Sequence, residues 1–272
     1  RSDRLEPVYE DIRGEWGAWS ELENGSVYLL GGLHFTKKSS NNHINFAIIQ
    51  NAIKGIQLDS VQGGQNPGLT LKNTIIQHMN VAGIVAQTSS IEAHNLVINN
   101  CGMYALALLL GGNYWFNHST IANYTTYTSR STPAVIINNY YKYDQQTISF
   151  PLQRCLFSNS IIHGRKGISQ SEVGFDLASS ETGNYMFDHC ILQLANPSDT
   201  LDATHFRNII FAREGVSYKD IGNYNFDLDT LSPAKDKGLI YYTISVPTDI
   251  AGRSRTADTK PDLGAFERNE KK

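Results

Sequence analysis

Apolar and polar positions alternate with a period of two along much of the chain, and the alternation recurs in blocks. LTLKNTIIQHMNVAGIVAQTSS (Leu69 to Ser90) is followed at once by IEAHNLVINNCGMYALALLLGG (Ile91 to Gly112), of the same length and nearly the same order of residue types. Sliding this pattern along the chain aligns Ile48, Ile75, Val97, Thr120, Ile161, Ile191 and Ile209, at spacings of 27, 22, 23, 41, 30 and 18. The residue after each is apolar: Ile49, Ile76, Ile98, Ile121, Ile162, Leu192 and Ile210. Three places before stand Asn45, Lys72, His94, Asn117, Ser158, Asp188 and Phe206, and four before stand Ile44, Leu71, Ala93, Phe116, Phe157, Phe187 and His205. Mostly polar next to mostly apolar is the signature of strands with one face turned inward.

A period near 22 with occasional longer gaps predicts stacked coils with loops inserted between them. Short strands running the same way in successive coils stack at about 4.8 Å, so about seven or more rungs build a parallel β-helix of roughly 30 Å. The expected fold is therefore all-β, with coils over 1–230, a long insertion at 122–150, and an irregular closing segment over 231–272 that belongs to the same domain. Two places before the reference lies a column of Phe46, Asn73, Asn95, His118, Asn159, His189 and Arg207. Amides and imidazoles stacked at a bend can bond to one another and to the backbone, so this column is read as a structural ladder.

Composition narrows the function classes. Lys plus Arg total 23 against 26 Asp plus Glu, a net charge of -3, which gives no reason to expect nucleic acid or an anionic membrane as partner. The three cysteines, Cys101, Cys155 and Cys190, make no CxxC pair and no zinc spacing, and read as buried thiols. The longest apolar run, YALALLL, is too short for a membrane helix. The start RSDRLEP carries neither an initiator Met nor a signal peptide, so the expectation is a piece of a longer precursor, with any envelope attachment lying ahead of Arg1.

The repeats N-T-I-I, N-L-V-I and N-S-I-I, the segment GEWGAWSELENGSVYLL and, above all, the tail resemble bacterial cell-envelope proteins of the pectate-lyase-like superfamily. In the tail, LSPAKDKGL (Leu231 to Leu239), DIAGRSR (Asp249 to Arg255) and PDLGAFE (Pro261 to Glu267) match that family's closing segment. Lys235 and Lys237 stand where the family commonly has small or apolar residues. The resemblance implies a right-handed, single-stranded β-helix, export to the outer surface of the envelope, often as a lipoprotein, and a function ranging from polysaccharide lyase or hydrolase to adhesin, binding rod or scaffold. Physically, the tail is expected to cover the end of the stack, where an uncovered rung would expose its backbone and apolar interior. Asp249, Asp262 and Glu267 offer oxygens for Ca²⁺, but the spacing of a calcium loop is absent, and bonds to backbone amides and to Arg253 or Arg255 are preferred, so no cofactor is expected.

No catalytic set is visible. HExxH, GxSxG and a phosphate-binding glycine loop are missing, GGQNPG (Gly63 to Gly68) reads as a loop, and Asp59, Glu92, Asp176, Asp188 and Asp202 fall in different columns. The longest gap collects aromatics: Tyr124, Tyr127, Tyr140, Tyr141 and Tyr143, with Tyr114 and Trp115 just ahead and Arg130 and Lys142 among them. Aromatic faces beside cations and amides suit the apolar CH face and polar rim of a sugar, so these nine residues form the expected glycan-binding surface. The competing expectation is that the tyrosines only cover the outside of the rod.

Overall fold

The computed structural model describes residues 32–60, 67–125, 130–165, 170–178, 183–200 and 202–268, together with two short strands, Trp19–Glu21 and Val27–Leu29. The protein is all-β. One 14-stranded sheet dominates, and every pairing within it is parallel. Among the described residues, three short antiparallel strand pairs lie outside it.

The pairing register follows the repeat. Ile48 pairs with Ile75, Ile75 with Val97, Val97 with Thr120, Thr120 with Ile161, and Ile161 with Ile191. The seventh position differs from expectation by one residue, since Ile191 pairs with Ile210 and Cys190 with Ile209. The shift improves the pattern: Phe206 replaces His205 in the inward column and Arg207 replaces Phe206 in the outward one. Inward aromatics then stack in series, with ring centroids 4.9 Å apart for Phe116–Phe157, 4.9 Å for Phe157–Phe187 and 5.5 Å for Phe187–Phe206. Cys101, Cys155 and Cys190 are free and buried in the same core, which pushes the Cys190 thiol up to about 12.

With the register corrected, the ladder column reads Phe46, Asn73, Asn95, His118, Asn159, His189 and Asn208, and all seven have φ between 45° and 53°. Left-handed backbone costs an ordinary L-residue about 1–2 kcal/mol, and Asn tolerates it best after Gly because its short amide bonds locally. The chain turns its corner at this column. Asn73 donates to Asn45 and Asn95 to Asn73, at 3.0 and 2.9 Å.

A second series of parallel pairings lies outside the aligned columns. Leu33 pairs with Ile56, Ile56 with Ile84, Ile84 with Leu106, Leu106 with Val135, and Val135 with Val173. The expected insertion at 122–150 is accordingly broken up. Val135–Asn138 is a regular strand of the main sheet, while the hairpin of Tyr140–Tyr143 and Gln146–Ser149 stands apart from it, turning at Asp144 and Gln145 with φ of 43° and 64°.

The closing segment lies along the corner column and bridges several repeats. Asn95 Nδ2 donates to the Thr248 carbonyl, Asn117 Nδ2 to the Tyr242 carbonyl, and Asn159 both donates to and accepts from the Leu239 backbone. Tyr242 donates to Asp188, and Leu263 and Ala265 share a second apolar core with Val97, Ala122, Ile161 and Ile191. A strap along the flank thus stands where a cover over the last repeat was expected. Asp249 accepts from the amides of Ala251, Arg253 and Glu267 and from Arg253 Nε, while Asp262 accepts from the amides of Asp236 and Arg268. The fully buried Arg255 bonds Glu267, Asn95 and the Gly264 carbonyl. Among the described residues, no group of three or more His, Cys, Asp or Glu is placed to hold a metal, and no helix is long and apolar enough to cross a membrane.

Candidate functional site

Of the nine residues expected to form one surface, the eight described ones are dispersed. Tyr114 is fully buried in the main core and donates to the Gly111 carbonyl at 2.8 Å, so it cannot face a ligand. An inward strand position, not a loop, decides its place. Trp115, next along the strand, points outward with Arg154 over its ring at 5.7 Å and His94 edge-on at 5.0 Å. Tyr124 is half-buried, bonded to His163 at 2.6 Å and packed on Tyr218 and Phe226. Arg130 makes a buried ion pair with Glu172 at 2.5 Å, which removes it from any sugar site. Tyr127 lies outside the described residues. Tyr140, Tyr141, Lys142 and Tyr143 stay together on the hairpin, with Tyr141 stacked on Phe150 and Tyr143 70% exposed.

Through its bond to Asp176, Tyr140 stands beside an open cleft. This open groove of about 560 Å³ runs over the outward face of the second strand series, with Val81, Val85, Ala107, Leu109 and Ile136 in its lining. The floor follows from strand alternation. Ile84, Ala86, Leu106, Leu108, Val135 and Ile137 point into the core, so Val85, Ala107, Leu109 and Ile136 between them must point out. Met103 and Tyr104 wall one side. On the other, Gln87 pairs in register with Leu109 and Asn138 with Asp176.

Asp176 is the charged residue in this lining. Its Oδ1 accepts from the Tyr140 hydroxyl at 2.7 Å and its Oδ2 from Asn138 Nδ2 at 3.0 Å. The bond to the carboxylate pushes the Tyr140 phenol up, which keeps it a donor. Each carboxylate oxygen has a lone pair left for a ligand hydroxyl. The arrangement offers an apolar platform with acceptors and amides on one rim, suited to stacking and hydrogen bonding. Among the described residues of the lining, Asp176 has no second carboxylate beside it of the kind that acid–base hydrolysis needs.

A second outward face carries Trp115 with Glu92, His94 and Arg154. Glu92 Oε1 meets His94 Nε2 at 2.8 Å, and burial pulls the His94 imidazole down despite that carboxylate. These side chains come together because Glu92 pairs in register with Trp115, and Arg154 with Asn113.

The cleft was missed in the sequence, yet a signal was present. ALALLL (Ala105 to Leu110) and VII (Val135 to Ile137) are apolar at outward as well as inward positions, where a solvated strand would alternate. Set against known proteins, the chain matches no family model, and no curated protein matches it.

Proposed function

We propose that the protein is a right-handed parallel β-helix, exported to the cell envelope, that binds an extracellular glycan in the cleft of Tyr104, Ile136, Asn138, Tyr140 and Asp176. Support for the winding comes from the parallel register at intervals near 22 residues and the shared left-handed corner. Support for the address comes from the resemblance of the closing segment to envelope proteins. The observation that carries the binding function is the aliphatic floor bounded along one rim by the Asn138–Asp176–Tyr140 hydrogen-bonded set.

The test is retention in native gels containing a panel of polysaccharides. Ile136→Asp, which puts a charge in the middle of the floor, should abolish retention on whichever polymer holds the parent, with the melting temperature as the check on folding. Equal retention of the two proteins would overturn the assignment. A polysaccharide lyase or hydrolase is favoured by a different observation, the Glu92–His94 pair beside Trp115 and Arg154. Release of unsaturated or reducing sugars by the parent, lost in Glu92→Gln, would establish that reading in place of plain binding.

A further inference from the structure

We infer that the cleft discriminates by charge: it takes neutral or amine-bearing sugar chains and turns uronate polymers away, with Asp176 as the specificity-determining residue. This rests on the glycan reading above and adds the ligand class. Uronate recognition requires cations or a bound metal to meet one carboxylate per sugar, and among the described residues no Lys or Arg lines this cleft. The charge it does present is a carboxylate, held at the rim from both sides by Asn138 and Tyr140. It therefore cannot swing away from an incoming anion without losing two hydrogen bonds.

The face that continues below the cleft repeats the arrangement. Gln57 pairs in register with Val85 and Leu58 with Ala86, so Asp59 follows on the same side of the strand as Gln87. Beside that face, His34 Nε2 bonds Asp59 Oδ2 at 2.8 Å and Lys54 Nζ bonds Gln57 Oε1 at 2.6 Å. Burial also pulls the Lys54 ammonium down. A polymer lying across the strands would thus run from Asp59 past Gln87, Leu109 and Asn138 to Asp176, with a carboxylate near each end and amides or aliphatics between. Neutral hydroxyls and N-acetyl or methyl groups match that sequence of partners, and carboxylates do not.

The experiment compares a galacturonate oligomer, its methyl ester and a partly deacetylated chitin oligomer by calorimetry on the intact chain. The ester has the backbone of the acid without its charge. The ester and the chitin oligomer should bind, with the free acid weaker by about tenfold, the scale of one like-charge contact near a surface. Asp176→Asn should bring the acid-to-ester ratio to within about threefold, and 0.5 M NaCl should narrow it in the parent. Gln87→Lys, a cation added on the same rim, should reverse the preference, and it tests the inference independently if Asp176→Asn fails to fold. Equal binding of acid and ester by the parent, or a ratio unmoved by both substitutions, overturns the charge selection while the glycan site stands. Failure of all three oligomers to bind overturns both.

Discussion

Asn159 offers the sharpest test of how the corner column and the strap hold each other. Its side chain is buried at φ 45°, donates to the Leu239 carbonyl at 3.0 Å, accepts from the Leu239 amide at 2.8 Å, and lies 3.0 Å from His118 Nε2. One amide therefore does for the strap what a neighbouring strand would do. Asn159→Ala removes these bonds and leaves the Leu239 amide and carbonyl without them, a loss of about 2–4 kcal/mol at ~1 kcal/mol per net bond plus the cost of unpaired groups. Alanine in left-handed backbone adds about 1 kcal/mol, which Asn159→Gly avoids because glycine has no Cβ. The expected totals are about 3–5 kcal/mol for Ala and roughly 1 kcal/mol less for Gly. Hydrogen exchange is the better assay, because the strap can open locally without unfolding of the whole chain. Protection should fall at the amides of Leu239 and Gly264, the latter donating to the Asn159 carbonyl, while amides in Ala82–Cys101 keep theirs. Alanine as stable as glycine would refute the left-handed term. Unchanged protection at Leu239 would refute the strap.

Three further outcomes follow from buried groups. Burial and the nearby Asp262 raise Glu267 from 4.5 to about 8, so the folded state holds a proton there that the unfolded chain releases. Stability should therefore fall as pH rises from 6.5 to 8, by up to roughly 2 kcal/mol, and Glu267→Gln should flatten that limb in thermal melts; a melting temperature constant over this window would contradict it. Below 6.5 the sign reverses. Burial depresses His94, His118 and His163, the unfolded chain takes up the protons they refuse, and stability should decline on further acidification. Gly83→Ala should destabilise by about 1–3 kcal/mol, since a Cβ there would lie 2.5 Å from the Ala105 carbonyl oxygen and 2.6 Å from Ile98 Cγ2; a neutral urea midpoint would show that this close contact relaxes freely.

The inward stripe was legible because it obeys a local rule. Ile76, Ile98, Ile121 and Ile162 pair in register on neighbouring parallel strands and are buried together, so the chemistry recurs at the pairing interval and can be counted along the sequence. The corner column was legible in part. Asn at Asn73, Asn95 and Asn159 marked a bend, but the bonds to Leu239 and Thr248 join residues 80 and 153 apart, and no periodicity encodes them. The last repeat slipped by one residue because His205 and Phe206 are adjacent and both aromatic, so either could be set in the inward column. Only packing on Phe187 decides between them.

The candidate residues lie apart for a related reason. Gathering aromatics by their nearness in sequence assumes that a long gap is one loop, and Val135–Asn138 shows it is not: a full strand of the main sheet divides Tyr124 and Arg130 from the hairpin tyrosines. Strand parity then separates Tyr114 from Trp115, one inward and one outward, although they are consecutive. What does assemble a site in stacked strands is the lateral register, which sets Gln87 beside Leu109 and Asn138 beside Asp176 from segments far apart in the chain. An outward column that turns apolar for Val85, Ala107 and Ile136 and ends in a fixed carboxylate is a departure from the alternation that solvent alone would select. That departure, more than the tyrosine count, is the feature of the outward face on which the proposed binding role rests.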